Sequence, residues 1–232
     1  MSWFTSSPLF GILISLVAFE IGLWANKKTK QPLINPLLIA LLLIVFILKG
    51  FDISLEDYNK GGQIISFFLG PATVALAIPL YKNVKLLKTN ALPIIGSIII
   101  GSSAGIVSIL LMAKLFDLDI KLGLSLAPKS ITTPIGIEVA KQLGGIPEIT
   151  VVAIIVTGLT GAIFAESLFK LLKFNDPVAK GLAIGASSHA LGTTKALEMG
   201  EVEGAMSSLA IGIAGLATVF IAPLVVWLLN YQ

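Results

Sequence analysis

The feature that most constrains this chain is its succession of apolar runs long enough to cross a bilayer. A helix needs about 20 mostly apolar residues to span the hydrocarbon core. Runs near that length extend from Pro8 to Trp24, Leu33 to Leu48, Ala91 to Leu115, Pro147 to Leu172 and Gly204 to Leu229. Three further stretches are apolar but interrupted. Gly62 to Tyr81 is broken by Gly70-Pro71 and Pro79, Ile120 to Leu143 by Pro128 and Pro134, and Val178 to Met199 by glycines and polar residues. No connection between runs is long enough to form a soluble domain. Charged residues are 12% of the chain, about half the share of a soluble domain, so polar atoms are too few to cover a water-facing surface. The expected fold class is all-α: a polytopic integral membrane helix bundle with broken or re-entrant helices and inverted repeats. An ordinary soluble enzyme, a disordered chain and a nucleic-acid-binding domain are excluded. The absence of cysteine removes disulfides, thiolate metal sites and cysteine catalysis, and a single histidine leaves no histidine-rich metal site. No cofactor is expected.

Lysines at the ends of the runs orient them. Lys27, Lys28 and Lys30 follow the first run and nothing basic precedes it, so it does not read as a cleaved signal peptide and its N-terminus is placed outside. Lys82, Lys85 and Lys88 mark an inside loop, and so do Lys170, Lys173 and Lys180. The run from Pro147 to Leu172 then starts outside, and the broken stretch before it enters and leaves on the same face. That describes a re-entrant hairpin near Pro128 to Pro134. The alternative is a full crossing with a basic outside loop; the charge pattern favours the hairpin.

The second half contains two similar units. Ser130-Ile-Thr132-Thr133-Pro134 precedes an apolar helix with Gly158 and Gly161. His189-Ala-Leu-Gly192-Thr193-Thr194-Lys195 precedes one with Gly212 and Gly215. Each unit is a broken segment with a threonine pair followed by a helix with closely spaced glycines, and the two enter from opposite sides. Inverted repeats of this kind build many secondary transporters. A related break, Gly70-Pro71-Ala72-Thr73, lies in the first half. Residues 1–61 are therefore expected to be a scaffold of transmembrane helices and residues 62–232 a repeat-containing transport core.

Backbone groups freed at a break must be buried in protein or line a wet cavity. Thr133 before Pro134 reads as a helix N-cap, and Thr193 or Thr194 as a second one. Paired helix N-termini suit a small carboxylate. Lys129 and Lys195 lie beside the threonine pairs, and a lysine at mid-membrane depth usually faces a cavity or a carboxylate. The candidate substrate-binding residues are Thr73, Lys129, Ser130, Thr132, Thr133, His189, Thr193, Thr194 and Lys195. Glu138, Glu166, His189 and Glu198 are candidates for carrying a coupling proton. For each there is a plain structural account: snorkelling lysines, back-bonded threonines, solvated glutamates or a packed neutral histidine. No catalytic constellation, nucleotide-binding loop or metal-ligand spacing is present, so an enzyme is not expected.

At these same residues the chain resembles the LrgB/CidB family. The matching text is Leu69-Gly-Pro-Ala-Thr-Val-Ala-Leu-Ala-Ile-Pro-Leu-Tyr81, Pro128-Lys-Ser-Ile-Thr-Thr-Pro-Ile135, and Gly144-Gly145 before Thr157-Gly158. It ends with His189-Ala-Leu-Gly-Thr-Thr-Lys-Ala196, Glu201 and Gly204-Ala-Met-Ser-Ser-Leu209. The resemblance covers essentially the whole chain and implies two functions. One is a carrier of glycolate, glycerate, lactate or pyruvate, as in the LrgB-like half of a plastidic glycolate/glycerate translocator and in bacterial relatives linked to pyruvate. The other is a holin/antiholin-like pore or a regulator of murein hydrolase activity and autolysis. It also implies a multi-pass protein of the bacterial plasma membrane, accompanied by a small LrgA/CidA-like membrane protein. The main expectation is a secondary carrier of small monocarboxylates working by alternating access, with proton coupling through His189 or a glutamate and sodium coupling as the alternative. The scaffold would support a homodimer or higher homo-oligomer.

Overall fold

A computed structural model describes residues 5–29, 34–68, 71, 74–75 and 77–231. Thr73 and most of its Gly70-Pro71-Ala72-Thr73 break lie outside the described residues. Among the described residues the chain is helical and has no strand, as the apolar runs require. It forms two compact units, Met1–Ala75 and Leu76–Gln232.

The first unit contains α1 (Pro8–Thr29), α2 (Pro36–Gly50) and α3 (Leu55–Phe67). Asn35 caps α2, its side chain accepting from the Leu37 and Leu38 amides at 2.9 and 3.4 Å, with Pro36 at the first helical position. Ser15 of α1 and Tyr58 of α3 share a hydrogen bond of 3.0 Å.

The second unit contains α4 (Ala77–Lys82), α5 (Val84–Thr89), α6 (Ala91–Leu115), α7 (Ile120–Leu126), α8 (Thr133–Leu143), α9 (Pro147–Leu171), α10 (Pro177–Met199) and α11 (Glu201–Leu228). In the whole chain four described helices are long and apolar enough to cross a membrane: α1, α6, α9 and α11. With 25, 25 and 28 residues, α6, α9 and α11 are about 37–42 Å long against a hydrocarbon core of about 30 Å. Their outer faces expose Ile100 and Leu111 of α6, Val152, Val156, Phe164 and Leu168 of α9, and Leu216, Phe220, Leu224 and Trp227 of α11. A soluble monomer does not leave so much contiguous apolar surface bare; the chain is a multi-pass membrane protein.

The elements between the long helices are hairpins. With 7 and 11 residues, α7 and α8 reach only about 10 and 16 Å, so neither crosses alone. The chain doubles back between them: Ser125 near the end of α7 accepts from the Ile146 amide just beyond α8 at 2.6 Å, while the carbonyl of Pro128, past α7, faces Gly136 in the first turn of α8. Gly144 ends α8 at φ +83°, the left-handed conformation that glycine adopts without Cβ strain. It falls at Pro128 to Pro134, where the lysine pattern favoured a hairpin.

Inside α10 the helix breaks at His189, whose φ of 43° and ψ of −141° are not helical. The chain doubles back there. Gly192 packs against Ile184 and Ser188, and Ile184 and Ala196 share a small core with Phe169. Residues eight to twelve apart would be well separated in a continuous helix. Thus α10 is two antiparallel arms joined at His189, and both lie against the N-terminal half of α11: Gly181 and Gly185 against Glu203 and Ser207, and Thr193 against Ser207. The long helix α9 leads from the base of the first hairpin to the base of the second. The hairpins therefore enter from opposite ends of α9, which is the inverted arrangement expected of the repeat.

The main core joins Ile98, Ile106 and Leu110 of α6 to Leu124, Ile131 and Val139 of the first hairpin and to Met206, Ala210 and Ala214 of α11. Alanine and glycine along α11 let the hairpins approach closely, the usual packing solution in membrane bundles.

Candidate functional site

The two hairpin tips converge on the middle of α9. On one side Gly136, the fourth residue of α8, faces Ile154. On the other, His189 Nε2 donates to the Ile154 carbonyl at 2.9 Å, and Ser188 and His189 lie directly over Gly161 and Gly158. A Cβ at either glycine would overlap those side chains, so the second tip seats only because α9 is bare there.

Beside this junction is a cavity of about 440 Å³. Its walls are the first tip (Lys129, Ser130), the first arm of α10 (Ala183, Ser187), and α6 (Ser97, Ser102). Among the described residues Lys129 is the one charged residue that lines it. It is partly buried, and its Nζ donates to Ser130 Oγ at 3.3 Å. Among the described residues no carboxylate lies within ion-pair distance of it. Ser102 is buried, and among the described residues its hydroxyl has no hydrogen-bond partner. A cation without a counter-ion and an unpaired hydroxyl, both held in a low-dielectric cavity, are costly unless a ligand completes them. The chemistry they offer suits a small anion with a further hydrogen-bonding group.

The other residues singled out in the sequence fall elsewhere. Thr132, not Thr133, is the N-cap of α8, and its side chain makes no capping bond. Thr193 and Thr194 are not N-caps: Thr193 Oγ1 donates to the His189 carbonyl at 2.9 Å and accepts from Ser207 Oγ at 2.7 Å, and Thr194 donates to the Leu191 carbonyl at 2.7 Å. These threonines bond back within the second arm and tie it to α11. Lys195 does not line the cavity. It pairs with Glu166 of α9 at 3.0 Å and Glu198 at 3.3 Å, while Glu166 also pairs with Lys170 at 2.8 Å. Glu138 is exposed and pairs with Lys141 at 2.8 Å. His189 holds the second tip on α9 through Nε2. Of the sequence candidates, the structure thus gathers only Lys129 and Ser130 at the cavity.

Ser97, Ser102 and Ser187 were not among those candidates. Ser97, Gly101, Ser102 and Gly105 recur on one face of α6, a helical spacing that was visible in the sequence. Nothing local tells such a stripe from an ordinary small-residue packing seam.

A family model described as the LrgB-like family matches residues 15–228. Relatives include proteins named antiholin-like protein LrgB from Bacillus subtilis (strain 168), 44% identical over 97% of this chain and 98% of the relative, and from Bacillus mycoides (strain KBAB4), 41% identical over 95% and 96%. A third, of the same name, comes from Bacillus cereus (strain B4264) and is 40% identical over 95% of this chain and 96% of the relative. No solved structure matches the chain.

Proposed function

We propose a function for a chain that belongs to the LrgB-like family: it is a membrane carrier that binds a small monocarboxylate at Lys129 and moves it across the bilayer. The observation that carries this reading is Lys129 itself, a cation without a carboxylate partner among the described residues, at a hairpin tip and inside a cavity edged by serine hydroxyls. Oppositely inserted hairpins meeting beside that cavity support alternating access, because each tip approaches the site from its own side. Glycolate, glycerate, lactate and pyruvate all have the size and the polar groups that Lys129, Ser130, Ser102 and Ser187 would bind. The reading places the chain in a bacterial plasma membrane with its N-terminus outside. A homo-oligomer or a small LrgA/CidA-like membrane protein would be its partner. Glu166 and Glu198, held by lysines, are less suited to carrying a proton than the sequence alone suggested.

The relatives' name favours a second reading: a holin/antiholin-like pore or a regulator of murein hydrolase activity and autolysis. That name supports the second reading directly and is silent on carboxylates. The two differ in kind of flux. With the purified chain alone in proteoliposomes, a carrier gives saturable glycolate uptake that pyruvate inhibits and a neutral sugar does not. Unselective flux proportional to concentration would favour the pore, and no flux from folded protein would favour the regulator.

A further inference from the structure

A second cavity, of about 490 Å³, adjoins the first and shares Lys129, Ala183 and Ser187 with it. It differs in where it runs and opens. It runs along α9 past Val156, Thr160, Phe164 and Leu168. Val156 is 55%, Phe164 49% and Leu168 50% exposed, on a helix long and apolar enough to cross the membrane. The groove therefore opens towards lipid. Among the described residues Lys129 is again the one charged residue lining it.

We propose that this groove holds the alkyl chain of a longer, free monocarboxylic acid that enters sideways from the bilayer and places its carboxylate on Lys129. The occupant follows from the charge and the depth. Lys129 lacks a carboxylate partner among the described residues, so a plain alkyl chain would fill the groove and leave the cation unpaired. A phospholipid brings its anion only to the headgroup level. The first tip lies instead against the middle of the long helices, with Ile135 on Gly215 of α11 and Gly136 on Ile154 of α9. A free fatty acid carries its charge on an unanchored chain and reaches that depth. From Val156 to Leu168 the groove follows about 18 Å of helix, enough for an eight-carbon chain. The proposal rests on Lys129 being a carboxylate site, and it adds a ligand class whose chain lies in the lipid-facing groove rather than in the first cavity.

The test is equilibrium binding to the purified full chain in nanodiscs, with binding to empty nanodiscs subtracted. The probes are butyrate, hexanoate, octanoate, octanol and glycolate. Affinity should rise about fourfold for each methylene buried up to octanoate, and octanol should bind far more weakly. Thr160→Trp, and separately Val156→Trp, should weaken octanoate tenfold or more by filling the groove from its exposed side, with glycolate changed less than twofold. Lys129→Gln should weaken both acids. Affinity independent of chain length, or octanoate binding indifferent to Lys129→Gln or to both tryptophans, would overturn the proposal. Glycolate binding without octanoate binding would defeat this inference alone. Octanoate binding at Lys129 without glycolate binding would support it and defeat the short-acid carrier.

Discussion

Replacing Lys129 with methionine should separate stability from binding. Methionine keeps most of the length and removes the charge. In the free protein Lys129 makes one side-chain contact, to Ser130 Oγ at 3.3 Å, and no ion pair among the described residues. A lysine at the centre of a membrane helix costs about 2.5–3.5 kcal/mol on insertion scales. Lys129 is only partly buried and faces a cavity, so roughly half of that penalty applies. Lys129→Met should accordingly raise the stability of the empty protein by about 1–2 kcal/mol. A hydrogen bond to a charged group contributes about 1.5–3 kcal/mol, so glycolate affinity should fall roughly ten- to hundredfold. Thermal melting in detergent and equilibrium glycolate binding, measured on the same preparation, read the two effects. A variant that melts lower and binds glycolate as the parent does would refute the reasoning, because Lys129 would then be holding the fold together rather than waiting for an anion.

Three other substitutions probe the surrounding structure. Ser102→Ala removes a buried hydroxyl that has no partner in the free protein; it should leave melting unchanged or raised and weaken glycolate binding about fivefold, by roughly 1 kcal/mol. At His189 the usual helix order should reverse: φ is positive there, so His189→Gly should melt above His189→Ala by about 1 kcal/mol; equal melting would place the turn elsewhere. Tyr231 is buried, its hydroxyl has no partner among the described residues, and its ring end packs on the bare Cα of Gly123. Tyr231→Phe should be neutral or stabilising by up to about 1 kcal/mol, and a loss of stability in thermal melting would reveal a bond to that hydroxyl.

The apolar runs alone established the membrane bundle, because few folds other than a lipid-embedded one bury so much surface with so little charge. The first hairpin was legible for a different reason: two prolines break the run, and the lysines on either side favour both ends on one face. The second hairpin was not. Its reversal rests on one non-glycine residue, His189, and the same text reads equally as an unwound crossing. Lys129 and Lys195 looked equivalent, each beside a threonine pair. Tertiary packing distinguishes them, since α9 brings Glu166 to Lys195 and brings no carboxylate to Lys129. The threonine pairs looked like helix caps because sequence shows a hydroxyl and not its direction; Thr193 turns back to His189 and across to Ser207. The α6 wall of the cavity was visible as a stripe of serine and glycine, but only the fold shows that the stripe meets a cavity rather than another helix.

The central claim is that a small carboxylate sits between the first hairpin tip and the first arm of the second hairpin. The chain has no cysteine, so Ser187→Cys places a single thiol at the edge of both cavities. The most direct measurement is the rate at which a small thiol reagent labels that cysteine in proteoliposomes, with and without glycolate. The account predicts that saturating glycolate slows labelling at least tenfold, that a neutral sugar has no effect, and that Lys129→Met abolishes the protection. Labelling at the same rate with and without glycolate, in protein that folds as the parent does, would contradict it.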